Sequence, residues 1–118
     1  MQYLCLGYME EGKWDALSDV EREAAMKECF AYDDVLKKNG HFVRGEALQS
    51  VRNATTLRWR NGKVAVTDGP FAETKEQLAG FYLIEARDLN DAIQVASKIP
   101  PAREGSIEVR PIRELSPS

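Results

Sequence analysis

The chain is poor in the residues that usually announce chemistry. It has one histidine, His41, and two cysteines, Cys5 and Cys29, in 118 residues. The two cysteines lack the Cys-x-x-Cys spacing of a redox or metal motif. One histidine without neighbouring cysteine or carboxylate ligands at a regular spacing does not outline a transition-metal site. Both thiols are expected as buried apolar groups in a reducing compartment. The chain also lacks a basic excess: its net charge is −3 and its pI is about 5.2. That balance argues against a nucleic-acid partner. Arg58, Arg60 and Lys63 lie close together, but a charged hairpin tip is ordinarily a solvated edge. No apolar run approaches the roughly 20 residues of a bilayer-spanning helix. Met1 leads into a strand-like run with no basic flank before it, unlike a secretory leader. A cytoplasmic protein with no membrane partner is expected. There is no glycine-rich phosphate loop, no Gly-x-Ser-x-Gly and no Ser/His/Asp spacing of a hydrolase, and no cofactor is indicated.

What is present is ordinary for one globular domain spanning residues 1–118. With 43% hydrophobic residues, a chain of this length buries a core without disulfides or metals. Residues 3–9 read as a strand, with Tyr3, Cys5 and Gly7 on one face and Leu4, Leu6 and Tyr8 on the other. Residues 10–14 read as a loop. Ser18 with Glu21 three positions on forms a capping box and opens a helix that ends at Asn39-Gly40. Its expected apolar stripe runs through Val20, Ala24, Phe30, Ala31 and Val35, with Met26 and Leu36 beside it. Residues 41–48 read as a second strand, with Phe42 and Arg44 on one side and His41, Val43 and Gly45 on the other.

Asn61-Gly62 sits between two strand-like runs, 55–60 and 63–67. That pair favours a type I′ hairpin, which needs positive φ at both positions. Counting back from the turn, Trp59 faces Val64, Leu57 faces Val66 and Thr55 faces Asp68, all on one side. Gly69-Pro70 breaks the strand, and residues 71–78 read as a loop. Residues 80–86 read as a strand, with Phe81 and Leu83 opposite Tyr82, Ile84 and Ala86. Asp88 caps a second helix with Ala92, Ile93, Val95, Ala96 and Ile99 as its apolar side, stopped at Pro100-Pro101. Residues 106–112 read as the last strand, and a frayed tail is expected at Ser116-Pro117-Ser118. The resulting order is β-α-β-hairpin-β-α-β. The fold class is therefore α+β: a ferredoxin-like split β-α-β with an added β-hairpin.

In that arrangement both helices cover one face of the sheet. Leu4, Leu6, Phe81 and Leu83 make the other face apolar as well. An uncovered apolar face on so small a domain marks an interface. The simplest closed solution is a two-fold homodimer, expected as a dimeric α/β barrel.

The stretch from Val66-Thr67-Asp68-Gly69-Pro70-Phe71 through Ala72-Glu73-Thr74-Lys75-Glu76-Gln77-Leu78-Ala79-Gly80-Phe81-Tyr82 resembles the signature of the DGPF branch of the YCII-related family. Asp88-Leu89-Asn90-Asp91-Ala92 and Gly105-Ser106-Ile107-Glu108-Val109-Arg110-Pro111 fit the same pattern. The resemblance covers nearly the whole chain. It implies a ferredoxin-like fold, a dimeric α/β barrel and a bacterial-type family mostly without assigned function. Some relatives are thought to be enzymes with a His-Asp pair in a cleft facing the barrel interior. Some sit near, or are joined to, extracytoplasmic-function sigma factors, which makes a sigma factor the alternative partner of a regulatory or interaction module. The histidine of the enzyme-like relatives lies on the first helix. Here that helix has none, and His41 follows it. The motif position that carries over is Asp68.

Two readings of Asp68 stand side by side. A carboxylate at a strand end beside apolar side chains suits general acid-base work or ligand anchoring. Aspartate before Gly-Pro is equally a turn former. His41 is a second, weaker catalytic candidate that could reach across to a carboxylate, or simply a helix-end residue. Phe71, Trp59, Tyr82 and Tyr3 are candidate pocket walls or plain core. Glu73 and Lys75 belong to a polar loop that either closes over a cleft or caps itself in solvent, and Glu46 is a further candidate pocket carboxylate. The leading expectation is a small-molecule binding protein or cofactor-independent enzyme, with an acid-base site near Asp68.

Overall fold

The structure is a computed structural model that describes residues 1–116. Of the tail Ser116-Pro117-Ser118, the last two residues lie outside it. Among the described residues there are six strands and three α-helices: β1 (Gln2–Met9), α1 (Glu11–Asp15), α2 (Asp19–Lys38), β2 (Phe42–Ala47), β3 (Thr55–Arg60), β4 (Lys63–Asp68), β5 (Gln77–Glu85), α3 (Leu89–Ser97) and β6 (Ser106–Pro111). Four strands form an antiparallel sheet in the order β2-β5-β1-β6, and β3 and β4 form a hairpin of their own. This α+β topology is compatible with a ferredoxin-like fold.

The local signals explain most elements. Ser18 Oγ accepts from Glu21 N and the Glu21 carboxylate accepts from Ser18 N, so the capping box is complete. Helix α2 stops at Asn39, followed by Gly40 at φ 76°. Asn61 and Gly62 adopt φ 53° and 74°, as a type I′ turn demands. The hairpin register is the one counted from that turn: Trp59 pairs with Val64, Leu57 with Val66 and Thr55 with Asp68.

The core lies between the sheet and α2 and α3. Tyr3, Cys5 and Ile84 from the sheet, with Ala86 just after β5, meet Leu36 from α2, Ala92, Val95 and Ala96 from α3, and Ile99. Tyr32 Oη donates to Val95 O at 2.6 Å and joins the two helices.

Three sequence expectations are corrected. Residues 11–15 form a short helix rather than a loop. In β2 a register irregularity at Val43 pairs Phe42 with Ile84 but Arg44 with Leu83. Phe42 therefore faces the helices and Arg44 the open side, where simple alternation puts them together. The third concerns α2. Its sheet-facing line is Ala25, Cys29, Tyr32 and Leu36, while Val20, Phe30 and Val35 are exposed. The helix carries more apolar residues than one face holds, so the stripe was ambiguous in sequence.

The other face of the sheet is open. Leu4, Leu6, Phe81 and Leu83 lie there half-buried. Two ion pairs border this strip: Arg44–Glu46 on β2 and Arg110–Glu108 on β6, each at 3.0 Å.

Candidate functional site

A cleft of about 980 Å³ lies at the foot of the hairpin. Its walls come from three places. The open sheet face gives Tyr8 and Leu78, the hairpin gives Thr55 and Leu57, and the loop after β4 gives Pro70, Phe71 and Thr74. Glu76 and Gln77 supply polar groups to the same cleft.

The walls are fixed by hydrogen bonds. Gly69 adopts φ 100° and donates N–H to Ala54 O at 2.7 Å. Thr56 Oγ1 donates to Gly69 O, and Arg58 Nη2 donates to Phe71 O, both at 2.8 Å. The motif loop is thus stitched along β3. On the opposite wall the Glu11 carboxylate accepts from Ser50 Oγ and from Val51 N, again at 2.8 Å. Gln77 Oε1 accepts from Glu11 N at 3.0 Å, and Gln77 Nε2 donates to Thr74 O at 2.6 Å. A chain of contacts therefore runs from the 50–51 segment through Glu11 and Gln77 into the motif loop. Sequence reading missed Glu11, because the short helix that presents it has no periodicity to detect.

The candidate residues do not all converge. Phe71 lines the cleft, with an exposed ring. Asp68 ends β4 opposite Thr55, exposed to solvent. Among the described residues no hydrogen bond or ion pair is made by its carboxylate. Trp59 sits further out on the hairpin and Glu73 is exposed. Lys75 Nζ lies 3.8 Å from Glu10 Oε1. Glu46 is held by Arg44, and Tyr3 is core.

Tyr82 points the other way, into the space between α2 and the sheet. Its phenol donates to Asp33 Oδ1 at 2.5 Å, beside a smaller hollow of about 300 Å³ that includes Cys5 and Cys29. Burial first, then the hydrogen bond to Asp33 and its charge, raises the Tyr82 phenol well above its ordinary range. Burial also pushes the Cys5 thiol from 9.0 up to about 11. Burial, with the Asp33 and Glu28 carboxylates, raises Cys29. Both thiols are thus protonated and poorly nucleophilic at neutral pH.

His41 lies at the opposite end of β5 from the cleft. Its Nε2 stands 3.5 Å from Asp91 Oδ2, and its Nδ1 is buried without a partner. The Asp91 carboxyl is lowered chiefly by the Arg87 backbone N–H, then by the charges of Arg87 and His41. This His–Asp pair belongs to the start of α3, where Asp88 caps the helix, and does not meet Asp68. Among the described residues no helix is long and apolar enough to cross a membrane.

A protein of Rhizobium meliloti (strain 1021), itself uncharacterized, is 39% identical over 119 residues, covering 99% of this chain and 96% of its own length. The family model for the YCII-related domain matches residues 1–116. The chain therefore belongs to the YCII-related family.

Proposed function

We propose that this chain is a small-molecule binding protein of the DGPF branch, working as a homodimeric α/β barrel with its ligand in the cleft at the foot of the hairpin. The observation that carries the reading is the cleft itself. Its volume of about 980 Å³ is at the upper end for ligand sites, and its lining has the expected character: mostly apolar walls with a few placed polar groups. Phe71 and Leu57 offer apolar contact, while Thr74, Glu76 and Gln77 offer hydrogen bonds. Asp68 ends the strand that runs into the Pro70–Phe71 wall. With its carboxylate free of partners among the described residues, both oxygens remain open to a donor group or a proton. Any chemistry on this reading is cofactor-independent proton transfer.

The dimer rests on the open sheet face. Leu4, Leu6, Phe81 and Leu83 form an apolar strip bordered by paired charges, the pattern of an apolar interface core with a polar rim.

The test is a thermal-shift screen of small carboxylic acids, amides and hydroxylated aromatics. It is run on the wild type, Phe71→Ala and Asp68→Ala. Hits that lose at least about tenfold in affinity with Phe71→Ala support the cleft. Hits that bind both variants as tightly as the wild type overturn it. A loss confined to Phe71→Ala removes Asp68 from the site.

A further inference from the structure

We infer that the β3–β4 hairpin is an exchanged arm: its apolar face seats on a second copy of this chain, and that copy supplies the missing wall of the cleft. The inference rests on the dimer proposed above and extends it.

Among the described residues the hairpin's apolar face is largely uncovered. Leu57 is 64% exposed, Trp59 76% and Val66 64%. The register places them on one side together with Val64. A two-stranded hairpin alone in water is marginally stable at best. Large apolar side chains gathered on one face of such a hairpin call for a cover. The outline of the molecule agrees. Its radius of gyration is 16.5 Å, against roughly 13–14 Å for a compact domain of this length. Its extents are 52 × 49 × 18 Å. The chain is broad and one sheet-and-helix layer thick, with the arm adding breadth rather than depth.

Continuity identifies the occupant. Leu57 belongs to the arm's apolar face and also lines the cleft with Tyr8 and Leu78 of the open sheet face. Arm face, cleft and open sheet face thus meet at Leu57. A body that covers the sheet's Leu4–Leu6–Phe81–Leu83 strip abuts the arm at the same edge. On the dimer reading that body is a second copy, and two-fold symmetry then gives each copy an arm on the other. Charge points the same way. The arm, residues 55–68, carries Arg58, Arg60, Lys63 and Asp68, a net +2, whereas the whole chain carries −3. The rest of the chain is therefore at −5, so an arm reaching onto a partner approaches a body of opposite net charge.

The test uses light scattering, sedimentation and tryptophan emission. Trp14→Phe leaves Trp59 as the only indole. In this background the dimer is expected to show blue-shifted Trp59 emission that moves red on dilution to monomer. Leu57→Ser with Trp59→Ser is expected to weaken the dimer by about tenfold to a hundredfold, with the helical circular dichroism unchanged, because both residues are exposed in the monomer. A double variant that dimerises as tightly as wild type, or a dimer whose Trp59 emits as a water-exposed indole, overturns the arm. Leu6→Asp separates the two readings. If it dissociates the dimer while the arm variant does not, the face-to-face dimer stands and the arm falls. A wild type that is monomeric at micromolar concentration sinks both. Emission that shifts only on adding another macromolecule assigns the arm to a different partner and overturns the exchange.

Discussion

Tyr82 Oη donates to Asp33 Oδ1 across 2.5 Å and ties the middle of α2 to the floor of the sheet. Gly45 permits it, since a Cβ there would lie 2.9 Å from the Tyr82 ring. Tyr82→Phe leaves a half-buried carboxylate without this donor and is expected to cost about 1–2 kcal/mol. Asp33→Asn keeps an acceptor and costs less. Urea denaturation of both variants checks the order.

Stability should fall on the alkaline side. The folded Cys5 thiol stands at about 11 against 9.0 for an ordinary thiol, so the folded state holds this proton more tightly. Its contribution is complete below about pH 9 and is lost as pH rises towards 11. Tyr82, also raised, acts in the same direction from about pH 10 upward. Two units correspond to about 2–3 kcal/mol for Cys5. Urea midpoints at pH 8 and pH 11 should differ by less in Cys5→Ala than in wild type. An equal slope in both would assign the loss to other groups.

Glu11 is a positioning residue. Its carboxylate holds Ser50 and Val51, and its N–H meets Gln77. Glu11→Ala should cost about 1–3 kcal/mol and weaken any cleft ligand, with hydrogen exchange rising at residues 50–54. Glu11→Gln, which retains one acceptor, should recover part of both. An effect on stability without faster exchange at 50–54 would deny it the positioning role.

Gly69 is required by its backbone. At φ 100° a Cβ has open space but a strained conformation. Gly69→Ala is expected to cost about 1–2 kcal/mol and to shift the Phe71 wall. Gly62→Ala at the hairpin tip has a comparable backbone cost without touching the cleft. Ligand affinity measured on both variants therefore separates the motif loop from general stability.

Much of the fold was legible in local signals. The Ser18–Glu21 box, Asn39-Gly40, Asn61-Gly62 and Asp88 are short-range devices, and each does locally what its chemistry requires. Strand faces were legible in β1 over residues 3–7 and in β5 over residues 80–85, the part that lies on one side of the irregularity skipping Ala79. They failed in β2, because an irregularity at Val43 is set by pairing with β5 and has no residue signature. The face of α2 failed because Phe30 and Val20 are as apolar as the residues that pack inward. The candidate site was legible only in part. The motif marked the loop and Phe71 reached the cleft, but Tyr82 went to the opposite face and His41 to the opposite end of the sheet.

The sequence by itself determined the order of the strands and of the two longer helices, the hairpin register and the family, because these depend on neighbours close in the chain and on a long shared pattern. Only the tertiary structure decided which carboxylates matter. Glu11 holds a wall, Asp33 meets Tyr82 and Asp91 meets His41. These pairings join residues between 39 and 66 positions apart or bridge separate elements. Such contacts exist only once sheet and helices have closed around them. The same closure left the hairpin's apolar face uncovered, and no local pattern could have announced that.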